Sequence, residues 1–378
     1  MALFTQYPYS RAPLQAASDA TSRRLGPSVI LERRDVPELK DLVAMRSRGW
    51  DNEDLDQHFT TLRKIADSPT KQTEHTWFGS MRSIMQELDR VAHCIPSSKQ
   101  LSFLDVGCAP GGFSSYILQK NRTAIGMGIS LPESAGGHAL LLEEWLRSRY
   151  HHYPEDILNY HWSPAPADDV RDHRSLQFPH EFTGHFPLVV LDGHALRTYR
   201  HDPSVIQSPG GDADLLKAAH GAYRDRLLIT QLIIALESVT PGGTIVTRLS
   251  HIECFPAAPL LYLLDNISKK VVVHKPQTMH KSRGTTYVIA KGVFSSKETR
   301  SLRDEYLQGL KALWGDLKQG GPCEGIGRML LERDLDFIAS GEVIVEEYVD
   351  RLIELGRQTW ATQVEGLRVL FRRKNIQY

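Results

Sequence analysis

Three kinds of residue in this 378-residue chain could do chemistry if the fold brought them together. The first is the run Asp105-Val106-Gly107-Cys108-Ala109-Pro110-Gly111-Gly112-Phe113. Its glycines permit a tight turn and close backbone approach, and amide groups at a following helix start favour a polar or anionic ligand group. That is a loop for a nucleotide-like cofactor. The second kind is a pair of opposite charges, Asp192 and Arg248, each at or near the end of an apolar run of strand length. The third is His194, two residues beyond Asp192, because an unperturbed imidazole pKa of ~6.5 suits proton removal near neutral pH. His201 and His251 are weaker candidates of the same kind. The histidine groupings, such as His151-His152, lack metal-ligand spacing, and no metal is expected.

The spacing of the loop narrows the cofactor. A dinucleotide site would show G-x-G-x-x-G with an acid roughly 20 positions later, whereas this loop reads D-V-G-C-A-P-G-G-F. Distant residues can share a cleft only if strand ends lie side by side. Leu101, Phe103, Leu104 and Val106 predict a first strand, and Phe113 to Leu118 the opening of a helix. A second strand is expected at Thr123 to Ser130, a helix at His138 to Tyr150, a third strand at Ile157 to Trp162 and a fourth at Phe186 to Asp192. Leu215 to Val239 reads as a long helix ending at Pro241-Gly242-Gly243, before a strand at Thr244 to Leu249 and a helix at Pro259 to Ile267. Lys270 to His274 and Thr286 to Ala290 close the sheet. Such alternation predicts an α/β fold, a mostly parallel doubly wound sheet with helices on both faces. Ligands of such sheets sit beyond the carboxyl ends of the strands, where Asp105, Asp192 and Arg248 fall.

With 41% hydrophobic and 24% charged residues the composition is that of an ordinary globular protein. No apolar run approaches the ~20 residues of a membrane span, so no membrane partner is expected. A formal charge of +0 excludes a global basic footprint, and any nucleic-acid contact must be local. Cys94, Cys108, Cys254 and Cys323 are scattered without a C-x-x-C pair, which predicts a reduced intracellular compartment, cytoplasm or nucleus. Residues 1–27 read as an irregular or disordered terminus. Arg11, Arg23 and Arg24, opposed by Asp19, leave a mitochondrial presequence as the alternative. Val29 to Arg34 reads as a strand, and Val36 to Arg48, Glu53 to Ala66 and Thr76 to His93 as helices. Beyond Ser295, Ser301 to Lys318 and Ile344 to Arg373 are amphipathic helical patterns, with Leu302, Tyr306, Leu310 and Leu313 as a core stripe.

Residue for residue, the loop from Asp105 to Ser114 resembles motif I of S-adenosylmethionine-dependent methyltransferases, in the D-x-G-x-x-P-G-G-[FW]-S form of the FtsJ/RrmJ-type RNA ribose 2′-O-methyltransferases. Three later stretches follow in the same order: Val190-Leu191-Asp192, the run Pro241 to Arg248, and Lys275-Pro276 through Ser282-Arg283 to Tyr287-Val288-Ile289-Ala290. The resemblance covers about Met81 to Val293. It implies a Rossmann-like class I methyltransferase domain over 95–294, between a helical N-terminal segment at 28–94 and a helical extension at 295–378.

The resemblance also implies S-adenosyl-L-methionine as cofactor, held by Asp105, Gly107, Cys108, Ala109, Pro110, Gly111, Gly112, Phe113 and Asp192; the family's ribose-binding acid has no counterpart at Gly128-Ile129-Ser130, and Asp168, Asp169 or Asp172 could accept from the adenine amino group. The family works with a Lys-Asp-Lys-Glu tetrad. Here Asp192 matches the aspartate, Arg248 stands at the central lysine, Thr285 at the glutamate, and Gln86 or Arg82 at the first lysine. Arginine does not give up its proton, so Arg248 can orient an oxygen or stabilise an oxyanion but cannot be a base. RNA phosphates could be held by Arg197, Arg200 and His201 with His274, Lys275, His280, Lys281 and Arg283. Two other readings stand beside RNA methylation: a small-molecule O-methyltransferase with His194 as base, and a catalytically inactive module that binds cofactor or RNA. Oligomeric state is not legible.

Overall fold

The computed structural model describes residues 25–50, 52–162, 175–199, 213–320 and 327–376. Seven strands form one sheet in the order β3-β2-β1-β4-β5-β7-β6. They are β1 (Ser102–Val106), β2 (Ile125–Ser130), β3 (Tyr150–Pro154), β4 (Phe186–Leu191), β5 (Val239–Ser250), β6 (Lys270–His274) and β7 (Thr285–Lys291). The first five strands are parallel, and β7 runs antiparallel between β5 and β6. The chain winds outward from β1 to β3, then returns to the other side of β1 with β4. That reversal opens a crevice beyond the ends of β1 and β4, the usual ligand position of a Rossmann-like doubly wound sheet.

Helices α1 (Pro27–Arg33), α2 (Pro37–Trp50), α3 (Glu53–Asp67) and α4 (Lys71–Ala92) precede the sheet. Within it come α5 (Gly112–Lys120), α6 (Ala213–Ser238) and α7 (Ala257–Asn266). After it come α8 (Lys297–Gln319), the single turn α9 (Gly341–Val343) and, through a π-helical segment at Ile344–Tyr348, α10 (Val349–Arg373). Side chains alternate across a strand, so each apolar run divides between two cores. Phe103, Leu188, Val190, Val246, Tyr287 and Ile289 pack against α4 and α5 with Met81, Ile84, Phe113 and Ile117. Leu104, Val106, Val189, Leu191, Ile245 and Val288 face α6 and α7, in a core that also takes in α1, α2, α8 and α10. Tyr306, Leu310 and Leu313 of α8 are buried there, as the amphipathic stripe predicts.

Three elements differ from the sequence pattern. Val29 to Arg33 lies in a helix rather than a strand, with Arg34 its extended cap: Pro27 stands at the first helical turn, where it has no backbone partner to lose, and the Ile30 amide bonds back to the Gly26 carbonyl. The helix expected at His138 to Tyr150 is irregular chain ending in a 3₁₀ segment at Glu144–Arg149. The Leu141 amide donates to the Pro110 carbonyl at 2.8 Å, drawing this stretch across the glycine loop. The third strand is Tyr150–Pro154, not Ile157 to Trp162. An edge strand reading YHHYP, largely exposed, carries no apolar signal, while Ile157 and Leu158 are buried through a short turn capped by Asp156.

Two buried carboxylates tie the helices to the sheet. Glu253, 1% exposed, accepts from Arg46 Nη1 of α2 at 2.6 Å and Trp360 Nε1 of α10 at 3.0 Å. Glu87 of α4 takes Gln277 N at 2.9 Å and Thr278 N at 3.1 Å, with His274 Nε2 3.1 Å away. Burial pushes the Glu87 carboxyl up, but the bonds from His274, Thr278 and Gln277 outweigh it and hold it down to about 2. A depressed carboxylate stabilises the fold above its unfolded value of 4.5 and loses that contribution as pH falls toward 2. At ~1.4 kcal/mol per pKa unit, a fall from 4.5 to about 2 means that Glu87→Gln should cost ~3 to 4 kcal/mol at pH 7. Urea unfolding at pH 7 and pH 3 should show the gap between variant and wild type closing at the lower pH.

Candidate active site

The β1–α5 loop is shaped by contacts that only glycine allows. Gly107 has φ +79°, and a Cβ there would lie 2.3 Å from Gly193 Cα, so the loops after β1 and β4 touch backbone to backbone. A Cβ on Gly112 would lie 2.3 Å from the Phe78 carbonyl oxygen, which is how α5 nestles against α4. Gly111 caps α5. The amides of Gly107 and Cys108 are not free for a ligand as the motif implies: both donate to the Ile129 carbonyl, at 2.8 and 3.2 Å, and hold the loop on β2.

Parity decides what faces the cleft. Residues 188, 190 and 192, residues 246 and 248, and residues 285, 287 and 289 lie on the α4 side of the sheet, and Arg248 pairs with Tyr287 across β5 and β7. Asp192, 5% exposed, therefore meets Tyr287 and Arg248. Its Oδ1 accepts from the Tyr287 hydroxyl at 2.7 Å and stands 3.4 Å from Arg248 Nη1. Burial pushes the Asp192 carboxyl up, while the charge of Arg248 and the Tyr287 hydrogen bond oppose it. Thr285 sits one rung beyond Tyr287, and its carbonyl is engaged by Lys275 Nζ at 2.6 Å.

Two adjoining cavities open here. One, of about 550 Å³, is walled by Gly107, Ala109, Ile129, Leu131, Ile157, Leu196 and Leu227, with Glu155 and Asp156 among its polar groups. The second, of about 380 Å³, is lined by Trp77 and Met81 of α4, Met279, Asp192, Arg248, His194 and His280. Gly107, Ala109, His138 and His194 border both. Burial holds the imidazoles of His138, His194 and His280 below their ordinary range, His138 at about 4, so all three are neutral near pH 7.

The structure thus brings together Gly107, Ala109, Pro110, Asp192, His194 and Arg248. Asp105, Cys108 and Phe113 lie beneath the loop, each 0% exposed. Asp105 Oδ2 accepts from Ser114 Oγ at 2.6 Å and Oδ1 has no partner. Burial, with the charge of Asp192 added, pushes its carboxyl up to about 7 against the Ser114 bond. Neither Gln86, exposed, nor Arg82, bonded to Gln119 at 2.5 Å, enters the cleft; α4 presents Trp77 and Met81 instead. Among the basic candidates Arg197 pairs with Asp67 at 2.8 Å and Lys281 with Glu365 at 3.0 Å. Lys275 is 3% exposed and donates to the Arg283 and Thr285 carbonyls. Arg283 is half-buried, drawn down to about 10 by burial and Arg248. Asp168, Asp169, Asp172, Arg200 and His201 lie outside the described residues.

Sequence reasoning missed Asp156. It follows the true β3, caps the next turn through Leu158 N at 3.0 Å and accepts from Tyr199 Oη at 2.9 Å on the cavity wall. Its signal was a carboxylate just past a strand end, invisible while β3 was expected to start at Ile157 rather than Tyr150.

Sheet order, glycine loop and acid-ended strands define the Rossmann-like S-adenosylmethionine-dependent methyltransferases. The family model described as FtsJ-like methyltransferase matches residues 85–293, more than half of the chain, and the chain belongs to that family. Among curated relatives, a cap-specific mRNA (nucleoside-2′-O-)-methyltransferase 1 of Caenorhabditis elegans is 22% identical over 337 residues, covering 85% of this chain and 34% of that protein. The Danio rerio protein of the same name is 27% identical over 196 residues, covering 51% of this chain and 22% of its own. An inactive cap-specific mRNA (nucleoside-2′-O-)-methyltransferase 1B of Caenorhabditis briggsae is 23% identical over 251 residues, covering 66% and 27%. This chain spans about a third or less of the length of the relatives it matches.

S-adenosylmethionine is the family's cofactor, and the larger cavity fits it. Its walls are largely apolar, and the carboxylates of Glu155 and Asp156 stand among its polar groups. Among the described residues no helix is long and apolar enough to cross a membrane. Gly107→Ala must force the β1 and β4 loops apart. Calorimetry should show cofactor affinity falling at least ~10-fold, a loss of ~1.4 kcal/mol, in a variant whose far-UV circular dichroism is unchanged.

Proposed function

We propose that this chain transfers the methyl group of S-adenosylmethionine to a ribose 2′-hydroxyl of RNA. The observation that carries the reading is the Asp192–Arg248–Tyr287 cluster, whose Asp192 and Arg248 line the second pocket beside the larger cavity, the two sharing Gly107, Ala109, His138 and His194. The printed names of the relatives, nucleoside-2′-O-methyltransferases of mRNA caps, support the same acceptor.

When bound, the cofactor supplies an electrophilic methyl carried on a positively charged sulfur. In this reading Gly107 and Ala109 flank it, Asp156 and Glu155 accept from its amino and hydroxyl groups, and Asp192 offers the sulfonium a negative field from a site with little water. Tyr287 and Arg248 hold that carboxylate in place. The remaining guanidinium protons of Arg248 orient the acceptor oxygen and stabilise charge on it. Arg248 takes no proton. Loss of the family lysine is compatible with turnover, because a general base contributes ~10²- to 10⁴-fold, or ~3 to 5.5 kcal/mol, while positioning two reactants contributes ~7 to 11 kcal/mol.

One observation favours a second reading, a small-molecule acceptor with His194 as base. Among the described residues, Arg197 and Lys281 are paired within the chain and Lys275 is buried, so these three cations are not open to an RNA backbone. The RNA reading expects purified protein to place labelled methyl in RNA that digests to 2′-O-methyl nucleosides. Asp192→Ala should lower that rate ~10²- to 10³-fold, and Arg248→Lys should keep or raise it. Label in small molecules alone would replace the first reading by the second, and label in neither would leave a binding module. Tyr287→Phe, which frees Asp192 on one side, should lower kcat with cofactor affinity unchanged and cost ~1 to 3 kcal/mol in denaturant unfolding.

A further inference from the structure

We infer that His280 is the proton acceptor for the methyl-accepting hydroxyl, taking the role that Arg248 cannot fill. The inference rests on the methyl-transfer reading above. His280 stands at the acceptor pocket with Asp192 and Arg248, is 1% exposed, and its Nδ1 has no hydrogen-bond partner. A buried ring nitrogen left unpaired is costly unless a ligand completes it.

Three other groups in the pocket carry lone pairs, and position separates them. Asp192 Oδ1 is engaged by Tyr287 and Arg248. His138 and His194 also have an unpartnered Nε2, but they border the cofactor cavity as well as the acceptor pocket and so stand at the junction of the two. Methyl transfer is an in-line displacement, with the acceptor oxygen opposite the sulfur, so the hydroxyl proton lies away from the cofactor. His280 lines the acceptor pocket alone.

In the step, the acceptor oxygen bonds to the methyl carbon as the carbon–sulfur bond breaks, its electron pair remaining on sulfur. The hydroxyl proton passes to His280 Nδ1. The positive charge lost at sulfur is thereby regained on the imidazole, and the closed site keeps its net charge. Burial first, then the charges of Arg283, Arg248 and Lys275, keeps His280 neutral and able to accept at physiological pH, while Asp192, His194 and His138 line the same pocket.

The test uses the full chain and the conservative variants His280→Asn and His194→Asn, which can hydrogen-bond but cannot take a proton. Labelled methyl transfer is measured into total RNA and into a small-molecule extract across pH, with cofactor affinity by calorimetry as a check on folding. His280→Asn should lose ~10²- to 10⁴-fold in kcat with cofactor affinity unchanged. Its residual rate should rise with pH where the wild-type rate is level, and His194→Asn should lose less. A second readout is the ring-nitrogen NMR signal absent from His280→Asn: a short oligoribonucleotide should shift it and the matching deoxyribonucleotide should not. Label confined to small molecules would end the RNA reading but leave His280 to be judged by the same two variants on that acceptor. Near wild-type kcat in His280→Asn, an unmoved signal with bound oligoribonucleotide, or no labelled acceptor at all would overturn the inference.

Discussion

The structure depends on a carboxylate that the fold has taken almost entirely out of water. Asp192 follows the last residue of β4, beside the point where the sheet reverses its winding, and its charge is tolerable there only because Tyr287 and Arg248 reach it from neighbouring strands. Removing one member would leave a buried charge uncompensated, so strand register, side-chain parity and the antiparallel insertion of β7 are coupled through one carboxylate. The same burial raises Asp192 and Asp105 and keeps three cleft histidines neutral. Desolvation is thus the common cause of the site's electrostatics, with hydrogen bonds and ion pairs correcting it locally.

The terminal helices belong to the same physical object as the sheet. Arg46 of α2 and Trp360 of α10 converge on Glu253, just past the end of β5, and α4 is bolted through Glu87 to the turn before β7. Each contact lies a few residues from Arg248 or His280 along the chain. The helices therefore hold the cleft's far wall as well as the core. Trp77 and Met81 show the consequence, since α4 supplies an apolar wall where the family pattern places its first lysine. With Met279 they give the acceptor pocket an apolar character that the family tetrad alone does not suggest.

The sequence by itself determined the inner strands of the sheet, the loop and the identities at those strand ends. Apolar runs covered on both faces cannot be mistaken for surface, which is why β1, β4, β5 and β7 were legible, and the glycine loop follows from steric rules that act over a few residues. Asp192 and Arg248 could be read because a carboxylate and a guanidinium at the ends of such runs have few other places to go. Tertiary structure alone decided the rest. The edge strand β3 has little apolar signal, so its true end and Asp156 beyond it were hidden. The stretch after His138 has helical spacing, yet its backbone bonds to Pro110, a partner remote in sequence. Lys275 and Arg197 read as free cations until the fold gave them a carbonyl cage and an aspartate. Whether a charged or ring nitrogen is available to a ligand depends on what packs against it from distant parts of the chain. Local sequence records side-chain chemistry, and only packing records which of those groups remain unpartnered.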